Sequence, residues 1–344
     1  MKIIIDAMGG DNAPEEIVKG ALEASRESDV DIVLCGREEE ILRVVERMGL
    51  SGLPNGVEVV NASEAIGMDD DPASAVRVKK DSSLTVALNL LRDGRGDALV
   101  SAGNTGALLS GATLIVKRVR GIRRAALAPC IPNLTGGFVL IDSGANTECT
   151  PEYLLQFAIM GSCYAQDARK IKSPRIGLLN NGAEPSKGTP LQLEAYQLLE
   201  KASSDGYMNF VGNVEAKDVM KGACDVLVCD GFTGNVFLKS LEGTASFIMS
   251  ELKTIYAKNL MTKLSALLIK KHVYELRARL NPDTIGGTAL LGISKPVIKA
   301  HGSSNAAAIA GAVRQAVEAI ASDASSRLQE SISRVKTGDS DEKT

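Results

Sequence analysis

The sequence predicts an α/β protein with a mostly parallel sheet and helices on both faces. Short apolar runs alternate with amphipathic segments along most of the 344 residues. This alternation is typical of parallel sheets, because each parallel crossover needs a helix. A long helical stretch over 237–280 breaks the alternation and predicts an arm protruding from an otherwise Rossmann-like domain.

The first part of the chain begins as a βαβ unit. Pro14, Glu15 and Glu16 are typical of a first helical turn, and the run before Pro72 resembles a helix cap. In chain order, we expect strand 2–8, helix 13–25, strand 31–36, a helix to 48, strand 57–61, helix 72–80, helix 84–91, strand 98–101, helix 107–116 and strand 125–130.

The second part continues the alternation and then changes. Asn281 and Pro282 end the long helix, and the charged tail 336–344 is expected to be disordered. Residues 1–335 are therefore expected to form one domain. The expected elements are strand 136–141, helix 153–170, strand 175–181, helix 191–202, strands 209–212 and 225–230, the arm 237–280, a return strand from 285 and helix 305–335.

Five turns that follow apolar runs form the predicted binding site. Carboxyl ends of parallel strands lie at one edge of a sheet, so one cleft can collect them. These turns are rich in Asn, Ser, Thr and Gly, and their amide donors at helix starts suit a phosphate better than a metal ion. They are Asp6–Asp11, Ser101–Gly106, Asp142–Asn146, Asn180–Gly182 and Asp230–Asn235, with His301–Ser304 as a further helix start.

Composition excludes several classes of protein. The chain has 39 basic and 42 acidic residues, no Trp and only 3% aromatic residues, so a nucleic-acid-binding surface is not expected. The six cysteines lack zinc-ligand spacing, and no Walker or Gly-x-Ser-x-Gly motif occurs. We expect neither a metal site nor a covalent serine or cysteine enzyme. Without a signal peptide or membrane span, the expected location is the cytoplasm.

The arm carries an apolar stripe beside several lysines. Leu264, Leu267, Leu268 and Leu276 recur at three- and four-residue steps. Packing within its own domain or against a sister subunit are the two structural interpretations, and we expect a homodimer contact. Lys263, Lys270 and Lys271 would in addition favour anionic lipid at its tip.

Five collinear motifs carry a family resemblance. They are Asp6–Asp11 with Pro14, Ser101–Gly106, Asp142–Asn146, Asp230–Val236 and Val297–Ser304. From Met1 to about Arg314, the chain resembles the PlsX family of bacterial phosphate acyltransferases. It departs from the family pattern at Asn12, where His is frequent, at Cys229, where Ser or Thr is usual, and in the turn Leu134–Phe138.

The resemblance implies an activity and partners. The family transfers a fatty acyl group from acyl carrier protein to inorganic phosphate, giving acyl phosphate and holo carrier protein. The implied fold is that of isopropylmalate dehydrogenases and phosphotransacetylases. The implied setting is a homodimer, peripherally bound at the inner face of the cell membrane, that supplies a membrane glycerol-3-phosphate acyltransferase. No cofactor is expected, because phosphopantetheine arrives on the carrier protein.

The expected mechanism is direct attack of phosphate on the thioester. Ser101–Gly106 would hold phosphate, and Asn235 or Asn181 would hydrogen-bond the oxyanion. The candidate catalytic residues are Lys187, Asn235 and His301. The candidate substrate-binding residues are Asp6, Gly9, Gly10, Asp11, Ser101, Gly103, Asn104, Thr105, Gly106, Asp142, Gly144, Asn146, Asn181, Asp230, Gly231, Thr233, Gly234, Gly302 and Ser303.

Three alternatives stay open. An acyl-CoA:phosphate acyltransferase of the phosphotransacetylase kind would differ only in the carrier of the acyl group. A non-catalytic scaffold would bind an acyl phosphate or nucleotide and recruit partners through the arm. A metal- and NAD-dependent dehydrogenase is disfavoured, because no Gly-x-Gly-x-x-Gly with a following acidic residue occurs.

Overall fold

Two sheets organise the part of the chain that the computed structural model describes, residues 1–280, 287–322 and 324–338. Across the first sheet the strand order is β3 (Val57–Asn61), β2 (Asp31–Gly36), β1 (Lys2–Asp6), β4 (Ala98–Ser101), β12 (Val297–Lys299), β11 (Thr288–Leu291) and β5 (Ala126–Ala128). Across the second it is β6 (Cys130–Ile131), β7 (Phe138–Ile141), β10 (Val226–Val228), β8 (Arg175–Asn180) and β9 (Asn209–Glu215).

Most strand pairs are parallel, so the predicted fold class is confirmed. The antiparallel pairs are those of β11 with β12 and β5, and of β6 with β7. Ile3, Ile4 and Ile5 of β1 are fully buried, and they alternate between two apolar clusters on opposite faces of the sheet. Burial on both faces is what makes parallel strands nearly continuous apolar runs.

The described helices cover these faces or form the arm. They are α1 (Glu15–Ser28), α2 (Glu38–Arg47), α3 (Ala75–Val78), α4 (Ser83–Arg92), α5 (Thr105–Gly111), α6 (Pro151–Ala168), α7 (Pro190–Ser204), α8 (Ala216–Val219), α9 (Gly231–Ala257), α10 (Leu260–Leu280), α11 (Ala306–Ala321) and α12 (Ala324–Gly338). A π-helical turn, Ala112–Val116, continues α5.

The two sheets meet where the chain passes from β5 to β6 through Pro129. The Leu127 amide donates to Asp142 Oδ1 at 2.9 Å, and the Ser143 amide donates to the Leu127 carbonyl at 3.1 Å. The sequence predicts one strand over 125–130. A proline has no amide hydrogen for a strand ladder, so the strand is interrupted there and the chain changes sheet.

The helix predicted over 72–80 is wrong in length, since only Ala75–Val78 is helical. Side chains in this stretch bond to the loops around them instead of lying along a helix. Lys79 Nζ donates to the Ala65 carbonyl at 3.0 Å and to Asp70 Oδ2 at 2.6 Å. Asp81 Oδ2 accepts from the Ser63 amide at 2.9 Å. These bonds hold the loops on either side of α3, over 62–74 and 79–81, beside the start of α5.

Two long helices that the sequence predicts as single elements are divided. The arm consists of α9 and α10, because Asn259 starts a new helix. Asn259 Oδ1 accepts from the Thr262 amide at 2.9 Å, and the Asn259 backbone amide donates to Thr262 Oγ1 at 3.0 Å. The helix predicted over 305–335 is divided into α11 and α12. The expected break at 281–282 lies outside the described residues. The tail expected to be disordered from 336 is wrong at its start, since α12 continues to Gly338, and residues 339–344 lie outside the described residues.

The arm exposes a large apolar surface. Helices α9 and α10 pack along each other, yet Leu260 is 86% exposed and Leu268 is 81% exposed. Other exposed apolar side chains are Phe247, Ile248, Ile255, Met261, Leu264, Leu267, Ile269, Tyr274 and Leu276. Among the described helices, none combines the length and apolar character needed to span a membrane.

Candidate active site

A cleft of about 540 Å³ lies between the two sheets and beside α9. Four of the five predicted turns reach it, through Asp11, Thr105, Gly144 and Asn235. His301 and Gly302 line it as well. The remaining lining residues are Met68, Leu127, Pro129, Cys130, Ile131, Pro132, Ser143, Met220, Leu238, Lys239, Leu241, Glu242, Ala245, Gly287, Thr288, Lys299 and Ala300.

Asp6 lies behind the lining of the cleft and holds two turns together. It is buried, and its carboxylate accepts from Ser83 Oγ at 2.6 Å and from Ser101 Oγ at 2.7 Å. Burial raises the pKa of Asp6, while the two hydroxyl donors lower it. With its oxygens already bonded, Asp6 positions the Ser101–Gly106 turn.

The first turn packs tightly against the second and the last. A Cβ on Gly9 would lie 2.4 Å from Asp6 Oδ2 and 2.7 Å from the Gly103 nitrogen, so only glycine fits there. Gly10 has φ +104°, and the Asp11 amide donates to the Gly302 carbonyl at 2.8 Å. These contacts place the Asp11 carboxylate and the backbone of Gly302 in one wall of the cleft.

Asn12, a departure from the family pattern, also joins these turns. Its Nδ2 donates to the Ser303 carbonyl at 3.1 Å and to the Ser304 carbonyl at 3.3 Å. The amide therefore has a positioning role, which needs no imidazole at this position.

The Ser101–Gly106 turn leads from β4 into α5. Ser101 Oγ accepts from the Gly103 amide at 3.1 Å. Asn104 is the N-cap, accepting from the Ala107 amide at 3.0 Å. Its Nδ2 donates to carbonyls of the loop over 67–70, including Met68 at 3.1 Å. Thr105 lines the cleft at the first helical position, where backbone amides have no carbonyl partner within the helix. Gly106 packs against Pro72.

Asn104 and Thr105 are both predicted from the sequence to bind phosphate, but their contacts give them different roles. We expect Asn104→Ala to lower the free energy of unfolding by about 1–3 kcal/mol, because it removes a helix cap and several bonds to the neighbouring loop. Thr105→Ala is expected to raise the KM for phosphate with little change in stability. Thermal unfolding and phosphate saturation curves would distinguish the two. Equal effects of both variants on stability would contradict the separation.

Lys299 is the residue of the cleft that the sequence argument misses. It is 8% exposed, on the buried strand β12, yet its side chain reaches the cleft. Nζ donates to the Ala102 carbonyl at 3.3 Å and to the Ala300 carbonyl. Among the described residues, no carboxylate lies within salt-bridge distance. An ammonium has three donors, so one stays available to a ligand.

Burial also changes the acidity of this lysine. Desolvation lowers the pKa of Lys299 to about 8, although Asp6 and Asp11 act in the opposite direction. A lysine with a pKa in this range is mostly charged at pH 7 and loses its proton under mildly alkaline conditions. The other lysine of the cleft, Lys239, is paired with Glu242 at 2.7 Å.

Asp142 organises the turn after β7 in the same way as Asp6 organises the first. It is fully buried, and Oδ1 accepts from the Leu127 amide at 2.9 Å and the Ala145 amide at 3.1 Å. Oδ2 accepts from the Asn146 amide at 2.6 Å. Burial raises the pKa of Asp142. Gly144, with φ +138°, then enters the wall of the cleft against Asn235.

The start of α9 is fixed onto that turn. Asp230 caps it, accepting from the Thr233 amide at 2.9 Å and the Thr233 hydroxyl at 2.7 Å. The Gly231 amide donates to the Asn146 carbonyl at 2.7 Å. A Cβ on Gly234 would lie 1.9 Å from the Asp142 carbonyl oxygen, so the helix could not approach with any larger residue.

Asn235 is an exposed residue in the first turns of α9 and lines the cleft. Within the described ranges, no hydrogen bond occupies its amide group. Its neighbours Asp230, Gly231 and Gly234 are held by the contacts above. Asn235 is therefore a hydrogen-bond donor on a rigid support, available to a ligand.

His301 lies on the other side of the cleft. Its Nδ1 is 2.8 Å from Ser303 Oγ and accepts from the Ser303 amide at 3.3 Å. Since Nδ1 accepts, Nε2 carries the proton of the neutral ring. Ser303 thus orients His301.

Asn181 and Lys187 lie apart from this lining. Both are exposed in the loop between β8 and α7. The Lys187 amide donates to the Glu184 carbonyl at 3.1 Å, and its carbonyl accepts from Asn180 Nδ2 at 3.0 Å. The backbone of this loop is thus held by bonds to its neighbours.

The cleft contains groups for binding an anion more than for covalent catalysis. Burial raises the pKa of Cys130, which makes its thiol a poor nucleophile. In the ranges that the structure describes, no group of three His, Cys, Asp or Glu side chains could hold a metal ion.

Comparison with protein families gives a match over almost the whole chain. The family described as fatty acid synthesis protein matches residues 1–327. A phosphate acyltransferase of Thermoanaerobacter pseudethanolicus is 48% identical over 333 residues, covering 96% of this chain and 97% of the relative. A phosphate acyltransferase of Anoxybacillus flavithermus is 45% identical over 338 residues, covering 98% and 100%.

Solved structures show the same fold at low sequence identity. A phosphotransacetylase of Streptococcus pyogenes aligns with a TM-score of 0.62 at 18% identity, covering 94% of each chain. A 4-hydroxythreonine-4-phosphate dehydrogenase of Klebsiella pneumoniae aligns with a TM-score of 0.50 at 14% identity, covering 93% of this chain and 99% of the other. These likenesses support the predicted fold class.

Proposed function

Because the chain belongs to the phosphate acyltransferase family, we propose that it transfers a fatty acyl group from acyl carrier protein to inorganic phosphate. A phosphate oxygen forms a bond to the thioester carbonyl carbon, and the bond from that carbon to sulfur breaks. The electron pair leaves with the sulfur, which takes the proton of hydrogen phosphate. The products are acyl phosphate and the free thiol of the carrier protein.

The observation that carries this proposal is the third, unused donor of the buried Lys299 beside the Ser101–Gly106 turn. A phosphate at this point would be bound by the Lys299 ammonium, the Thr105 hydroxyl and the amides that begin α5. A partly desolvated site strengthens such charge-assisted bonds. Asp6 and Asn104 then act by holding this turn in place.

Asn235 is proposed to stabilise the oxyanion of the tetrahedral intermediate. Its amide lines the cleft and makes no hydrogen bond to any other group among the described residues. Phosphate is already a competent nucleophile and a thiolate leaves readily, so positioning contributes more than a strong base. His301 Nε2 is proposed to donate a hydrogen bond to phosphate or to the leaving sulfur.

Lys187 is proposed to stabilise charge on substrate that extends beyond the cleft towards its loop. We expect Lys187→Ala to lower kcat while the unfolding temperature stays within experimental error, because its side chain is exposed and its backbone bonds remain. Lys172→Ala, another exposed lysine, is the control. Unchanged kinetics of Lys187→Ala would assign the residue to the solvated surface.

The exposed stripe of α10 is proposed to form the homodimer contact, with lysines at its tip touching anionic lipid. Such a position at the inner face of the membrane would bring acyl phosphate to a membrane glycerol-3-phosphate acyltransferase. Leu267→Glu with Leu268→Glu is expected to weaken both contacts, since each residue is more than 60% exposed and charge is costly in either setting.

Light scattering and sedimentation with anionic vesicles would measure the two effects of this double variant. Ser265→Glu, an exposed polar position of the same helix, is the control. A dimer of unchanged strength would contradict the subunit contact, and unchanged vesicle binding would contradict the lipid contact.

The donor is tested by comparing palmitoyl carrier protein with palmitoyl-CoA, with acyl phosphate trapped by hydroxylamine. We expect the carrier-protein donor to have the higher kcat/KM. Preference for acyl-CoA would instead support an activity of the phosphotransacetylase kind. No cofactor belongs to this proposal, since the phosphopantetheine arrives with the substrate.

A further inference from the structure

The lining of the cleft combines polar and apolar side chains. Thr105, Asn235 and Lys299 contribute polar groups, and the paired Lys239 and Glu242 of α9 belong to the same lining. The apolar part includes Ile131, Met220, Leu238, Leu241 and Ala245. A cleft that offers both polar groups and an apolar lining suits a ligand with the same two parts, such as a fatty acyl thioester.

The residues of α9 that line the cleft lie in a row along the helix. Asn235, Leu238, Leu241 and Ala245 recur at three- and four-residue steps, so they share one helix face. The ten steps from Asn235 to Ala245 correspond to about 15 Å along the helix axis, enough for a substantial part of an extended fatty acyl chain. The same helix leads on to the exposed apolar surface of the arm.

The apolar wall is firmly supported. Leu238 and Leu241 pack against a buried cluster that includes Phe138, Leu140 and Val219. The Phe237 ring contacts Phe138 with 6.4 Å between ring centroids. Since this support holds α9 in place, the groove exists before a ligand enters. Ala245 is the smallest side chain on that face and leaves space at the far end.

We propose that the acyl chain lies along α9, with its carbonyl at Asn235 and its methyl end at Ala245. This inference rests on the proposed function and adds the site that determines chain length. Burial of successive methylene groups against Leu238, Leu241 and Met220 provides the binding energy for long chains. Chains longer than the groove continue towards the arm.

A second apolar cavity is the competing location. It measures about 80 Å³ and lies between α6, α11 and the hairpin of β11 and β12, with Met160, Leu291 and Ala319 in its lining. Gln315 separates it from the cleft, because it accepts from the Gly287 amide at 2.8 Å and donates to the Tyr164 hydroxyl at 2.8 Å. A chain from the reaction centre would have to displace these bonds, so the groove along α9 is favoured.

The test measures acyl phosphate formation from butyryl, octanoyl and palmitoyl carrier protein. Ala245→Trp fills the far end of the groove, and the exposed neighbour Ser246→Trp is the matched control. We expect Ala245→Trp to lower the palmitoyl-to-butyryl ratio of kcat/KM about tenfold, the effect of losing burial of roughly two methylene groups. The control is expected to keep the wild-type ratio. Ala245→Leu should give a smaller change, and thermal unfolding confirms that each variant folds.

Three results would overturn this location. They are an unchanged ratio in folded Ala245→Trp, an equal change in Ser246→Trp, and a change in Ala319→Phe without one in Ala245→Trp, which would place the chain in the second cavity. If the proposed function itself were wrong, the wild-type protein would form no acyl phosphate from any of the three donors. This result is distinguishable from a wrong location of the acyl chain.

Discussion

Replacement of Lys299 by Gln is expected to lower kcat/KM for phosphate by about 100-fold or more, the range seen when a preorganised charge-stabilising group is removed. Lys299 is the buried cation of the cleft, and two of its three donors already fix its position. Lys295→Gln is the matched control. It lies in the same hairpin and also donates to a backbone carbonyl, that of Leu91 at 2.6 Å, but does not line the cleft.

The pKa of Lys299 gives this prediction a pH signature. Its pKa of about 8 lies below the usual 10.5, so the ammonium is present below pH 8 and is lost above it. We expect the KM for phosphate to rise as the pH increases through 8. Lys299→Arg should remove this inflection, because Arg keeps its charge. An inflection that persists in Lys299→Arg would assign it to another group.

The affinity for phosphate should fall with pH, whereas the stability of the fold should rise. Between about pH 8 and 10.5 the unfolded chain keeps the Lys299 proton and the folded chain loses it, so the unfolded state binds more protons there. The free energy of unfolding therefore gains a contribution that rises with pH across this interval. Lys299→Gln should lack this contribution. Identical pH profiles of stability for the wild type and this variant would contradict the lowered pKa.

Replacement of Asn235 by Ala is expected to lower kcat by about 100- to 1,000-fold, the typical cost of losing one oxyanion donor. The effect should fall on kcat more than on the KM for phosphate, because the oxyanion exists only in the transition state and intermediate. Stability should change little, since the Asn235 amide bonds to nothing in the described structure.

Thr244→Ala, an exposed position of the same helix, is the control for Asn235→Ala. Steady-state kinetics with saturating acyl carrier protein substrate separate kcat from KM. A variant that raised only the KM for phosphate would place Asn235 in phosphate binding and contradict the oxyanion assignment.

The sequence predicts the turns of the site well, because Gly and Asn after apolar runs have few structural alternatives. It does not show which polar side chains face the ligand. Asp6 and Asp142 resemble ligands, yet their partners Ser83 and Leu127 lie far away in sequence or on another sheet. Only the folded chain reveals that these carboxylates are bonded internally.

Lys299, in contrast to these two carboxylates, faces the cleft although the sequence pattern does not single it out. In Val297–Lys299 it follows two apolar residues of a short strand and precedes Ala300, so it resembles a charged residue at a strand end. A usable signal was present, since a lysine in an otherwise buried run is costly without a function. Pro129 was a similar signal, because a proline interrupts a strand and here marks the passage from one sheet to the other. The position of the Lys187 loop, in contrast, depends on tertiary packing.

The central claim, direct attack of phosphate in this cleft, is tested most directly by a single turnover with palmitoyl carrier protein, with and without phosphate. Mass spectrometry of the protein and the carrier is the measurement. The account predicts release of free carrier only when phosphate is present, and no palmitoyl adduct on the protein under either condition. Release of carrier without phosphate, together with a palmitoyl adduct on the protein, would contradict it.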